Sequence, residues 1–133
     1  VLVHAVLALA AAMSLADVAA LSDEIEEEAV SLAMQEEVTP DFLARLEDFS
    51  ADAHRLSEAL AAAGSGNDMA LALNAIAVDA LMAHRSFKSA DTEAETSAAF
   101  DALRLALDDA IMLAPLAAGA AADAAMPTQT AAR

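Results

Sequence analysis

The chain has no cysteine, no tryptophan and no tyrosine, and its four phenylalanines make aromatics only 3% of the sequence. Without cysteine there is no disulfide framework, no thiolate nucleophile and no thiolate metal site. With three glycines in the whole chain, a glycine-rich phosphate loop is not expected. No serine stands in a strand–turn–helix elbow, and no nucleophile–base pair can be assembled from the spacing. Cations are scarce too: six Lys and Arg stand against 22 acids, for a net charge of −16. A field of that sign repels phosphate backbones and anionic lipid surfaces, which argues against a nucleic-acid partner.

What the chain does have is alanine, which supplies about half of its 59% hydrophobic content. Alanine is the best helix former and small enough to let helices approach closely. Strand-forming β-branched and aromatic residues are few, so the expected class is all-α. A length of 133 residues suits one domain with a single core. The acidity is uneven. Residues 1–40 carry Asp17, Asp23, Glu24, Glu26, Glu27, Glu28, Glu36 and Glu37 with no Lys or Arg, whereas Asp68 and Asp79 are balanced by Arg85 and Lys88. A basic partner, a cation-rich medium or plain solubility would each account for it, and one lysine among so many acids resembles the proteome style of salt-adapted organisms.

Three breaks divide the chain: Val38-Thr39-Pro40-Asp41, Gly64-Ser65-Gly66-Asn67 and Ser89-Ala90-Asp91-Thr92. The first segment reads as one helix from about Leu2 to Gln35. Its seam is Val1, His4, Ala8, Ala11, Leu15, Val18, Ser22, Ile25, Ala29 and Leu32, with a second stripe of Leu2, Val6, Leu9 and Met13. Thr39 is a good N-cap, Pro40 fits the first helical position, and Val38 can staple onto Leu43. Phe42, Leu46, Phe49, Ala53, Leu56, Leu60 and Ala63 then keep 4-3 spacing until Gly64 ends the helix. The third segment, about Asp68–Lys88, is apolar nearly all round and is expected to be the most buried. The fourth opens on a capping box, Thr92 to Glu95, with Phe100, Leu103, Leu107 and Ile111 inward and Asp101, Arg104 and Asp108 outward. Pro115 should kink or restart it. Short links give an antiparallel up-down-up-down four-helix bundle over residues 1–126, followed by a flexible tail at 127–133.

Val1–Leu21 has a second reading, because it is long and uncharged enough to span a bilayer or serve as a targeting segment. Against that stand the missing basic leader, the interruptions at His4 and Asp17, and the weak lipophilicity of alanine. The chain starts at Val1 without an initiator methionine, as a processed or truncated form would.

Bundles often hold metals or haem, yet neither His54 nor His84 has the glutamate three residues earlier that a di-iron site needs. A covalently attached haem needs cysteine, and a His/Met pair such as His84 with Met13 or Met112 uses methionines better read as core filler. No cofactor and no metal are expected. The Asp23–Glu28 run lacks the glycine turn of a calcium loop and reads as a solvated face. His4 and His84 read as structural histidines.

His54 carries a sharper alternative. It lies mid-helix, one place past the seam residue Ala53, in the run Ala53-His54-Arg55-Leu56-Ser57-Glu58 that continues to Gly64. Over about twelve residues this distantly resembles the histidine phosphotransfer (HPt) domains, four-helix bundles with an exposed phospho-accepting histidine. The resemblance implies His54 as phospho-acceptor. It departs where that family has Lys and Gly, at Ser57 and Glu58, and a carboxylate one turn on would repel a phosphoryl group.

The leading expectation is a non-enzymatic bundle acting through protein–protein contacts or self-association, as a structural or assembly subunit or as an acidic adaptor or chaperone. Leu2, Val6, Leu9 and Met13 would make the contact together with late helix four, and Glu24, Glu27 and Glu28 would steer. A phosphotransfer module using His54 and a membrane protein anchored by residues 1–21 are the alternatives.

Overall fold

A computed structural model describes residues 13–64 and 67–126, and these fold into four α-helices with no strand among them. They are α1 (Leu15–Ala33), α2 (Pro40–Ala62), α3 (Asn67–Ser89) and α4 (Glu93–Ala125). Each helix packs on its chain neighbours, α4 closes the square onto α1, and the diagonal pairs barely meet. With links this short the neighbours are antiparallel, so the architecture is the up-down-up-down bundle.

The helix starts follow from local chemistry. In α2, Thr39 Oγ1 accepts the Phe42 amide at 3.0 Å, Pro40 takes the first position, and Val38 and Leu43 both pack against the core. Its end is closed by Gly64 at φ +72°, the left-handed backbone that glycine enters without strain. At α4, Thr92 Oγ1 accepts the Glu95 amide at 3.1 Å, but the Glu95 carboxylate returns to the amide of Asp91 rather than of Thr92. The reciprocal box is therefore shifted by one residue.

The first helix is shorter than its seam suggests. Ser14 Oγ accepts the Asp17 amide and the Asp17 carboxylate accepts the Ser14 amide, a complete capping box that starts α1 at Leu15. Met13 and Ser14 are not helical, so an uninterrupted helix from Leu2 to Gln35 is corrected. Val18, Leu21, Ser22, Ile25, Ala29 and Leu32 are buried as the inner face, while Leu15, at the seam's lower edge, is half exposed. Leu2, Val6 and Leu9 lie outside the described residues, as do the first twelve residues of the membrane-segment reading and the tail 127–133.

One further expectation changes and another narrows. α3 is not the most buried helix: it buries Ala70, Leu73, Ile76, Ala77, Ala80, Ala83 and Phe87, but Leu71, Val78 and Met82 face out. In a square of four helices no helix occupies the centre, so each keeps one outward side whatever its composition. At Pro115 the restart is not taken, and α4 runs unbroken through it to Ala125.

The core is graded along the bundle axis. At the end that holds the α1–α2 and α3–α4 links, Phe42, Phe87 and Phe100 form an aromatic triad, with ring centroids 4.7 to 5.7 Å apart. The two edge-on pairs, Phe42–Phe87 and Phe87–Phe100, add about 0.5–1.5 kcal/mol each beyond burial. The other end relies on Leu56, Leu60 and Leu73, with the small residues Ala114, Ala117 and Ala121 of α4 completely buried.

Between α2 and α3 the helices approach closely enough for side chains to bond the opposite backbone. Ser50 Oγ donates to the Ala77 carbonyl and Ser57 Oγ to the Ala70 carbonyl, both at 2.6 Å. The donors are two turns apart on one helix and the acceptors two turns apart on the other. Only serine and alanine stand at these four crossings, and that smallness is what permits the contact.

Candidate functional site

His54 sits on the exposed rim of the α2–α3 seam, with about half of its side chain open to solvent. Its Nδ1 is 3.0 Å from Asn74 Oδ1 across the seam, and its Nε2 is 3.2 Å from Glu58 Oε1 one turn on. Both ring nitrogens therefore face oxygens. With Nδ1–H donated to Asn74, the Glu58 contact becomes an ion pair only when the imidazole carries both protons. A phosphoryl group arriving at Nε2 would meet a carboxylate rather than a cation. Arg55 turns the other way and pairs with Asp52 at 3.2 Å. The solvent-facing position is that of an HPt histidine, but the electrostatics are opposite to what phosphoryl transfer requires.

His84 is largely covered, and its Nε2 lies 3.9 Å from Glu47 Oε2 across the same seam. Both histidines thus mark the α2–α3 rim, one towards each end of the helix pair. Among the described residues no group of three His, Asp or Glu side chains is arranged to hold a metal ion.

The acidic residues singled out in α1 border a groove of about 580 Å³ between α1 and α2. Glu24, Glu27 and Glu28 line one wall, Asp48 and Asp52 the other, and Arg45 reaches in from α2. Arg45 Nε bonds Glu28 Oε1 at 2.8 Å, and its Nη2 bonds Ser31 Oγ at 2.6 Å. Glu28 is consequently tied into an inter-helix contact and is half-buried, while Glu24 and Glu27 are exposed. These two remain where long-range steering would need them.

Of the apolar contact residues expected near the N-terminus, Met13 is described, and it is partly buried against the core. Among the described residues, open apolar surface lies on α4 and α3. On α4, Leu105 and Met112 are each 70% exposed and Leu116 is 58% exposed. Seven and then four residues apart, they share one stripe pointing away from the core. On α3, Leu71, Val78 and Met82 form a similar outward stripe. The late part of helix four was expected to carry excess apolar surface. Leu105 and the α3 stripe were missed, although the spacing of seven and four is readable in the sequence.

α4 is also long and apolar enough to cross a membrane by composition alone, with a mean hydropathy of 1.5 over its most apolar stretch. A third of that stretch is buried within the bundle. No protein family, curated protein or solved structure was found to match the chain.

Proposed function

We propose that this chain is a non-enzymatic helical-bundle protein that works through its surface, as an assembly subunit or as an acidic adaptor or chaperone. The observation that carries the reading is the α4 stripe of Leu105, Met112 and Leu116, three large apolar side chains more than half exposed in one line. Fully burying a Leu or Met side chain is worth about 1.5–3 kcal/mol, so leaving three in water on one line forgoes a stabilisation that a partner would recover. Scattered apolar residues on a surface need no explanation, but an aligned set is the pattern of a contact face. Exposed acids such as Glu24 and Glu27 supply the long-range field that steers an encounter.

The phosphotransfer alternative draws support from the exposure of His54 and loses it at Glu58. It predicts an acid-labile phosphoryl group taken from a phosphorylated receiver domain and lost in His54→Gln. The anchoring alternative rests on residues 1–21, of which the first twelve are not described.

The test of the leading reading is the native size of the chain. A tagged copy in an extract of its own cells should run in an assembly larger than its 13.5 kDa monomer. Met112→Glu with Leu116→Glu should reduce it to the monomer without loss of helix content. A wild-type chain at monomer size both in extract and when purified, at low and at high salt, would remove the reading.

A further inference from the structure

We propose that the outward face of α4 docks a cationic amphipathic helix supplied by another protein. This inference rests on the surface-contact reading above and names the partner's chemistry. Its starting point is the stripe of Leu105, Met112 and Leu116. The line continues one way to exposed Ala98 and the other way to exposed Gly119, where an added Cβ would meet nothing within 4 Å. At 1.5 Å per residue the whole track is roughly 30 Å long, the length of a partner helix of about 20 residues. Small residues at its two ends and large ones in the middle give a partner a central set of anchors with room to lie close at either end. Methionine at the centre suits such a face, because its unbranched side chain adapts to the helix laid on it.

Charge selects the occupant. At 100° per residue, Asp101 and Asp108 border one side of the track, Asp109 borders the other, and Asp123 stands on its line beyond Gly119. The sole cation of α4 is Arg104. Its guanidinium lies 5.9 Å from the Phe100 ring centroid and 3.6 Å from Asp101, so it is already engaged within the chain. Asp101 is thereby paired, while Asp108 on one side of the apolar track and Asp109 on the other have no cation of α4 left to balance them. A second copy would bring those carboxylates against their own kind, in a chain of net charge −16, which works against a homodimer through this face. An anionic bilayer is opposed by the same sign. A helix with an apolar stripe and Lys or Arg along both flanks matches the face in both respects, in the helix-on-apolar-face mode of recognition.

The outward stripe of α3 provides the contrast within the molecule. Leu71, Val78 and Met82 are bordered by Asp79 on one side and Arg85 on the other. Mixed signs there choose no partner, and the inference stays with α4.

The test uses the full chain and a fluorescent synthetic helix of leucine and lysine, its leucines in one stripe and its lysines on both flanks. A peptide of identical composition with the stripe scrambled is the control. Binding read by anisotropy should favour the striped peptide. Replacing Leu105, Met112 and Leu116 by Ser should weaken it by about tenfold or more, as loss of a central apolar anchor set does. Asp101→Asn with Asp108→Asn and Asp109→Asn should do the same. Glu37→Gln with Asp68→Asn and Asp79→Asn removes equal charge outside α4 at exposed positions and should leave binding within about twofold, because those residues lie off the track. Equal binding of the scrambled peptide, or an equal loss in this off-track variant, would overturn the proposal in favour of general acidity. Binding of the chain to zwitterionic vesicles, lost in the Ser variant, would overturn it in favour of a lipid surface. If the native assembly proves to hold only copies of this chain, the cationic partner falls while the surface reading stands. A monomer in extract that also ignores the striped peptide removes both.

Discussion

α2 meets its two neighbours in opposite ways. Toward α3 it presents Ser50, Ala53 and Ser57, and the helices come close enough for two hydroxyls to bond backbone carbonyls across the seam. Toward α1 it presents Arg45, Asp48 and Asp52, and the helices stand apart around a groove of about 580 Å³. Both sides belong to one regular helix, so backbone geometry does not make the difference. Side-chain size and charge do. Small residues let dispersion act over a continuous contact, whereas carboxylates hold their hydration and keep the opposite wall at a distance. The close seam therefore fixes the register of the bundle, and the open one leaves a wet, acidic surface.

The largest effect is expected from placing one bulky residue on each side. Ala77→Leu puts three extra heavy atoms on a buried position whose carbonyl receives Ser50. Overpacking of this kind costs typically about 1–3 kcal/mol, and it should also break the Ser50 bond. Asp48→Leu, on the groove wall, should change stability by no more than about 0.5 kcal/mol, because the space is open to water. Urea unfolding of the two variants measures both. Equal losses would mean that the seams are equally tight and that the contrast between them has no energetic content.

A smaller effect should follow from Ser50→Ala with Ser57→Ala. A buried hydrogen bond contributes about 0.5–1.5 kcal/mol net, and removing a hydroxyl leaves no orphan here, because each carbonyl can still accept its own helical bond. We expect a loss of about 1 kcal/mol or less per site, with helix content unchanged. A loss several times larger, seen in the same urea titration, would show that the hydroxyls themselves hold the helices together. The small loss would instead assign the close approach to the size of the residues.

Much of this was readable beforehand, and the reasons differ by element. The break at Thr39-Pro40 and the end at Gly64 are local chemistry, fixed by residues that touch their own backbone. The α2 seam was legible because polar residues punctuate it. α1 misled because its 3-4 apolar spacing continues through Ser14, and periodicity alone does not register a cap. The Ser14-x-x-Asp17 pair was the available signal. α3 misled for another reason. Its alanines and leucines make the outward side as apolar as the inward one, so composition does not say which residues neighbours will cover. Ser50 was not singled out, and Ser57 entered only as a departure from the HPt pattern, though their spacing of seven matches that of Ala70 and Ala77. As for the contact surface, the sequence pointed first to Leu2, Val6, Leu9 and Met13. The described one of these, Met13, is partly buried, and among the described residues the exposed stripes lie on α4 and α3.

The smallest effect belongs to the groove and turns on salt. Among the described residues Arg45 is the one cation that lines it, bonded to Glu28 and Ser31, with Glu24, Glu27, Asp48 and Asp52 around it. The Arg45 and Glu28 side chains are 29% and 35% exposed, so the pair is worth about 0.2–1 kcal/mol rather than a buried bridge's value. Arg45→Gln removes that pair and leaves Glu24, Glu27, Glu28 and Asp48 facing one another without a counter-charge, Asp52 alone keeping its pair with Arg55. Their repulsion acts through water, and at 1 M salt the screening length is only about 3 Å. The variant should therefore lose most stability at low salt and approach wild type as salt is raised, which thermal unfolding across a salt series would follow. On the close side of α2 no such dependence is expected, because neither alanine nor serine carries charge. If Arg45→Gln loses the same amount at every salt concentration, the arginine contributes by packing and by its bond to Ser31. The groove would then be a second, looser version of the α2–α3 seam rather than its electrostatic opposite.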